Sequence, residues 1–314
     1  MAPEILYGKP YGKAVDMWST GVIVYLLLGG YLPFGDRRTT EIFQKTKAGE
    51  FKFYDRDWRG VSSEAKSFIR GLLVVDETKR TTAAEAVNHP WLLAPGTSLA
   101  EIDLSESMDR FSVFNAKRKL RAAITSVMLA RRVASRLEDA CTKPSEHFSD
   151  VFVLEEQMGS GAFATVFKAT TTTFVERLRE TPAPGDGSSP SSLLSEARPC
   201  FAVKRTTRKG LSKAAERSVF EEVHIMRRLD HPSVVAVYEF YEADPEYYYM
   251  VMEFMAGGHL LDRIVRQTCY NEEDARDVCR VLLDAVKYCH DRGVAHRDLK
   301  LENLLLASPT DNTS

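Results

Sequence analysis

His296-Arg297-Asp298-Leu299-Lys300-Leu301-Glu302-Asn303 sets a histidine, an aspartate, a lysine and an asparagine within eight residues. A long amphipathic pattern, Glu272 to Arg292, runs up to it, with Val278, Leu282 and Val286 at helical spacing. The apolar run Leu304-Leu305-Leu306 follows and reads as a strand. Farther upstream, Val151–Leu154, Thr165–Ala169 and Cys200–Lys204 read as strands. A helix spans about Ala214–Leu229, and two more strands lie near Val234–Tyr241 and Tyr247–Phe254. The stretch at about 171–199 includes Pro-Ala-Pro-Gly-Asp-Gly-Ser-Ser-Pro-Ser-Ser and reads as a disordered surface insertion.

The start of the chain has a different character. Val15–Gly29 is an apolar helix, Thr40–Lys47 a short amphipathic one opened by a capping threonine, and Ser62-Ser63-Glu64-Ala65 begins a third. Thr81–Asn88 is a fourth, stopped by Pro90. Three segments result: a helical part at 1–95, a linker with a basic helix at 96–147, and a part at 148–314 that begins with a sheet.

The chain has 314 residues and carries 42 Lys and Arg against 44 Asp and Glu, so no global field favours nucleic acid or membrane. Residues 110–137, however, hold eight basic residues and no acid. The uncharged stretch between Asp16 and Asp36 is interrupted by Gly21, Gly29, Gly30 and Pro33, which suits a buried helix rather than a membrane span. Five cysteines without a CxxC pair or a secretory leader predict reduced thiols in a cytoplasmic protein.

Gly159-Ser160-Gly161-Ala162-Phe163-Ala164-Thr165-Val166 sits between two strands. It reads either as a cradle whose backbone amides approach phosphate oxygens or as an ordinary hairpin turn. Phe201-Ala202-Val203-Lys204 places a lysine on a strand, either solvated or held by a helix carboxylate. Glu222 is the first candidate for that carboxylate and Glu221 the second.

Together with the string at 296–303, these motifs make residues 150–306 resemble the first part of a Ser/Thr protein kinase. Ala2-Pro3-Glu4, Asp16–Val22, Asp76–Arg80 and His89-Pro90-Trp91 resemble the later part of a kinase large lobe. The match is to the calcium/calmodulin-dependent group in particular. The fold implied is α+β, kinase-like, in two non-sequential pieces. The resemblance also implies ATP and Mg2+ as cofactors and protein Ser or Thr hydroxyls as acceptors. Asp298 would accept the hydroxyl proton, Lys300 would steady the phosphoryl group, and Asn303 would bind a magnesium ion. Gly159, Ser160, Gly161, Ala162, Phe163, Val166, Ala202, Lys204, Glu222, Met252, Glu253 and Met255 would bind the nucleotide. Glu4 would pair with Arg80, and Asp16 would lie beneath the catalytic loop.

Phe114-Asn115-Ala116-Lys117-Arg118-Lys119-Leu120 through Ala130 resembles the calmodulin-binding segment of type II calmodulin-dependent kinases. Leu120, Ile124 and Leu129 would anchor a helix at about 112–137 to calcium-loaded calmodulin. Composition alone leaves a solvated charged helix or a membrane-surface helix open. Ser107 falls where that group has a regulatory autophosphorylation site, although Leu104 replaces the expected arginine.

Several features depart from the family. The motif order is reversed, as in a slice of two tandem kinases or in a circular permutant whose halves dock. Docking would cover Val278, Leu282 and Val286 with helices such as Val15–Gly29. The 314 residues contain no Asp-Phe-Gly, which supplies a magnesium ligand in kinases. A catalytically inactive, calmodulin-binding scaffold that holds nucleotide is therefore the alternative expectation. His259 stands where the family commonly has glutamate, and Leu301 where proline is usual.

Overall fold

The structure is a computed structural model that describes residues 1–36, 38–95, 104, 107, 110, 147–160, 164–172, 200–265 and 271–308. The basic segment with Leu120, Ile124 and Leu129, the loop residues Gly161, Ala162 and Phe163, and residues 173–199 of the insertion lie outside the described residues. The chain divides into two units. One joins Met1–Arg121 to Ala256–Ser314, and the other is Ala122–Met255.

The second unit is an antiparallel sheet of β1 (Phe152–Ser160), β2 (Ala164–Thr171), β3 (Phe201–Thr207), β4 (Val237–Tyr241) and β5 (Tyr247–Glu253), in the order β1-β2-β3-β5-β4. Phe152, Ala169, Val203, Tyr241, Tyr249 and Val251 form one apolar face. The short helix Phe148–Val151 covers it, with the Phe148 ring stacked on Tyr249 at 4.1 Å. The helix Lys213–Met226 is capped by Ser212 and packs Phe220 against Phe240 and Tyr248. Thr171 pairs with Phe152 inside the sheet, so the strand reaches one residue into the stretch assigned to the insertion.

The first unit is built around the helix Ala14–Gly29. Its side chains are apolar on nearly all sides, and the helix is correspondingly buried on nearly all sides. It ends at Gly30, whose φ of 76° is costly for any residue with a Cβ. A Cβ there would also fall 2.5 Å from the Ser107 carbonyl oxygen. The helix Ser63–Leu72, capped by Ser62, packs Phe68, Ile69 and Leu72 into the same core.

The long helix Glu272–Asp291, opened by an Asn271–Asp274 capping box, brings its stripe into that core as well. Val278, Leu282 and Val286 are buried at 7%, 7% and 4% exposure in a cluster shared with Ala14–Gly29. At about 1.5–3 kcal/mol per fully buried side chain, this stripe contributes to the cohesion between the two sequence pieces. Polar contacts reinforce the joint. Glu272, fully buried, accepts from the Ser62 amide and hydroxyl and from Trp91 Nε1. Arg276 donates to Ala94 O at 2.7 Å, and Arg280 donates to Leu92 O. A two-strand ribbon of β6 (Gly258–His259) and β7 (Leu305–Leu306) follows.

Two helix boundaries differ from the sequence expectation. The amphipathic helix is Thr39–Ala48, and its N-cap is Arg38 with no side-chain hydrogen bond, so no threonine caps it. The fourth helix is only Ala83–Ala86, and a capping box between Thr82 and Glu85 sets its start at Ala83.

His89 caps the helix Pro90–Leu93, its Nδ1 accepting the Trp91 N–H at 3.2 Å. Partial burial holds its pKa below the ordinary 6.5. A depressed folded pKa means that the unfolded chain binds the extra proton first. The cap therefore contributes fully at neutral pH and is lost as pH falls below about 6.5. Urea midpoints measured between pH 7.5 and 5 are expected to fall more steeply for the wild type than for His89→Asn, whose amide oxygen still caps.

Candidate functional site

Asp16 organises the loop at 296–303. It sits in the first turn of Ala14–Gly29 at 1% exposure. Its Oδ1 accepts the Arg297 N–H at 2.7 Å, and its Oδ2 accepts the His296 N–H at 2.8 Å. His290 Nε2 also lies 2.8 Å from Oδ2. One carboxylate near the start of the chain thus fixes two backbone amides about 280 positions later. Arg297 has φ 67°, a left-handed conformation uncommon outside glycine, and the Asp16 bonds hold it there.

The predicted catalytic residues converge beyond that turn. Lys300 Nζ is 2.7 Å from Asp298 Oδ2. Asn303 Nδ2 donates to Asp298 O at 2.6 Å and to Oδ2 at 3.2 Å. Asp298 is 68% and Lys300 47% exposed at the side chain, so this pair is open to an incoming group. The turn Leu301–Asn303 carries Asn303 back towards Asp298, and Leu301 is buried beneath it.

Asn303 commits its amide nitrogen to Asp298 and keeps Oδ1, while Asp298 supplies carboxylate oxygen. Magnesium takes hard oxygens and commonly only one or two from protein, the remainder coming from phosphate and water. Among the described residues no group of three His, Cys, Asp or Glu side chains could hold a metal alone. The residues fit a nucleotide-borne magnesium ion rather than a free-standing metal centre.

Glu4 and Arg80 form a bidentate buried pair at 2.7 and 3.0 Å. Arg80 also donates to Ala14 O and Val74 O, which ties the helix Pro3–Leu6 to the base of Ala14–Gly29. His259 is exposed on β6, with Nδ1 3.0 Å from Glu302 O. Ser107 is 2% exposed and donates to Leu28 O at 2.9 Å. Arg110 beside it donates to Gly29 O and pairs with Asp57. The expected autophosphorylation hydroxyl is thus buried, caught up in satisfying the end of a helix.

In the second unit Lys204 lies on β3, opposite Val166 and Met250. Its Nζ is 2.7 and 2.8 Å from the two Glu222 oxygens, so Glu222 rather than Glu221 is the partner. Gly159 and Ser160 end β1 opposite Val166 and Thr165. Ala202 pairs with Lys168 and Met252, and the Glu253 N–H donates to Ala236 O at 2.9 Å. Met255 is the last residue of this unit and is half-buried. Burial raises the pKa of the Cys279 and Cys289 thiols, away from the reactive thiolate.

Glu272, Arg276, Arg280 and His290 belong to no motif in the sequence. Glu272 reads as an ordinary first-turn acid. Its sequence signal is the neighbouring Ser62 cap and Trp91, more than 180 residues away.

The protein kinase domain family model matches residues 1–92 and 185–312. Calcium/calmodulin-dependent protein kinase type II subunit delta of Oryctolagus cuniculus is 42% identical over 144 residues, which cover 46% of this chain and 27% of that protein. The type II alpha chain of Drosophila melanogaster is 36% identical over 178 residues, covering 54% of this chain and 34% of that one. The chain spans about a third or less of these relatives' lengths. The autoinhibited serine kinase domain of the giant muscle protein titin is 37% identical with a TM-score of 0.30, covering 30% of this chain and 29% of that one. With a family match extending over well more than half its length, this chain belongs to the protein kinase family.

Proposed function

We propose that this chain transfers the γ-phosphoryl group of ATP to Ser or Thr hydroxyls of proteins, under the control of calcium-loaded calmodulin. The observation that carries this reading is the convergence of Asp298, Lys300 and Asn303 on a loop held by Asp16. Asp298 accepts the hydroxyl proton as the hydroxyl oxygen bonds to the γ-phosphorus and the bond to the bridging oxygen breaks. Lys300, within reach of Asp298, places positive charge beside the transferring group. Asn303 offers Oδ1 to magnesium, which when bound neutralises phosphate charge. Lys204, oriented by Glu222, grips phosphate oxygens, and Gly159, Ser160, Gly161, Ala162, Phe163 and Val166 cover them. Ala202, Met252, Glu253 and Met255 enclose the adenine.

The absence of Asp-Phe-Gly from these 314 residues favours a second reading, a nucleotide-holding scaffold that responds to calmodulin. Radiolabelled phosphotransfer to a Ser/Thr protein substrate separates the two. Asp298→Asn is expected to lower turnover at least about a hundredfold, the low end for a lost general base. No turnover in the wild type, with ATP still raising the melting temperature, would select the scaffold instead.

Calmodulin control rests on the basic segment with Leu120, Ile124 and Leu129. Calcium-dependent comigration of the full chain with calmodulin on a native gel is expected. Leu120→Glu places a charge on an apolar anchor and is expected to abolish it. Retained comigration in that variant would remove calmodulin from the proposal.

A further inference from the structure

Phe51, Lys52, Phe53 and Arg70 line a groove of about 500 Å³ in the first unit. Its floor is firm. Phe51 and Phe53 meet edge to face at 5.5 Å, and Phe53 is backed by Trp58 at 4.6 Å and by Tyr25 at 5.8 Å. The Tyr25 hydroxyl donates to the Lys52 carbonyl at 2.6 Å, which pins the backbone of the groove wall. Two exposed cations stand at this aromatic surface. The Arg70 guanidinium lies 4.9 Å over the Phe53 ring, so part of its conformational freedom is already spent. Neither Arg70 nor Lys52 forms an ion pair among the described residues. Lys66, one helical turn before Arg70, likewise has no acidic partner among them.

We infer that this groove docks an acidic peptide segment of a partner protein, one that alternates carboxylates with aromatic or aliphatic side chains. Charge complementarity chooses this occupant. The guanidinium fork and the ammonium each seek a carboxylate, and the half-buried Phe51 and Phe53 rings beside them offer an apolar side chain a contact. A purely apolar occupant would bury Arg70 and Lys52 beside it without compensation. The groove uses none of the residues assigned to phosphoryl transfer or to calmodulin, so the inference stands whether or not the chain is an active kinase.

The test is fluorescence anisotropy of the full chain with a labelled peptide, Glu-Asp-Phe-Glu-Asp-Leu-Glu, and with its neutral counterpart, Gln-Asn-Phe-Gln-Asn-Leu-Gln. The acidic peptide is expected to bind, and to bind more weakly as salt rises. Lys52→Glu and Arg70→Glu are each expected to weaken binding about tenfold by setting like charges face to face. Both side chains are exposed, so far-UV circular dichroism and the melting temperature should match the wild type. Absence of binding, equal binding of the neutral peptide, or unchanged affinity in both charge reversals would overturn the inference. So would full displacement of the peptide by 1 mM inorganic phosphate, which would mark a simple anion site.

Discussion

Arg80→Leu is expected to destabilise the first unit by about 3–5 kcal/mol, because it strands the Glu4 carboxylate in the interior. Arg80 is 3% and Glu4 4% exposed, and the pair is bidentate. Breaking such a pair costs more than the pair contributes, since the remaining charge keeps its desolvation penalty and loses its partner. The double variant Glu4→Leu with Arg80→Leu should recover part of the loss. Recovery stops short of complete because Arg80 also satisfies the carbonyls of Ala14 and Val74. Urea denaturation of the two single variants and the double variant yields the coupling directly. A double variant whose loss equals the sum of the two single losses would mean that Glu4 and Arg80 act independently and that the carbonyl contacts, not the ion pair, carry the effect of Arg80.

Asp16→Ala is expected to cost about 3 kcal/mol and to release the catalytic loop. Three charge-assisted contacts at 2.7–2.8 Å disappear together, two of them to consecutive backbone amides. Without them Arg297 loses the hydrogen bonds that favour φ 67°, and the turn relaxes towards ordinary backbone angles. Asp298 then no longer stays within hydrogen-bonding distance of Lys300 and Asn303. Asp16→Asn keeps one acceptor and should lose less stability, although its amide NH2 then faces one of the two backbone N–H donors. Turnover measured well below the melting temperature of each variant separates the loop effect from simple unfolding.

Much of this architecture is legible in the sequence, and the remainder is hidden for identifiable reasons. The helix Ala14–Gly29 declares itself through its continuous apolar run, and Glu272–Asp291 through Val278, Leu282 and Val286 at helical spacing. The strands bearing Lys204 and Met252 are marked by β-branched and aromatic residues. By contrast, β6 has two residues, too few for any period to show, although its partner β7 falls within the apolar run Leu304–Leu306. The helix Phe148–Val151 is a single turn, fixed by the stacking of Phe148 on Tyr249 about a hundred residues away. Tertiary packing, not local propensity, places such elements.

The site follows the same division. Lys204 and Glu222, like Asp298, Lys300 and Asn303, are residue types whose chemistry can be named from a motif. What a motif does not carry is the support beneath them. Glu272 looks like an ordinary helix-opening acid until Ser62 and Trp91 are seen to converge on it. Arg276 and Arg280 look like solvated charges until they meet the carbonyls of Ala94 and Leu92. The position of Ser107 suggests a modification site, whereas its hydroxyl closes the end of a buried helix. In each case the partner lies far off in the chain, where spacing arguments do not reach.

Residues from both ends of the sequence share one core, and that is the feature on which everything else depends. Native-state hydrogen exchange at increasing urea concentrations tests it. Amides in the middle of Ala14–Gly29 and of Glu272–Asp291 are expected to merge into one opening reaction with a single free energy and a single urea dependence, because neither helix can expose its apolar surface alone. Exchange of Glu272–Asp291 through a separate, lower-energy opening, with Ala14–Gly29 still protected, would contradict the shared core.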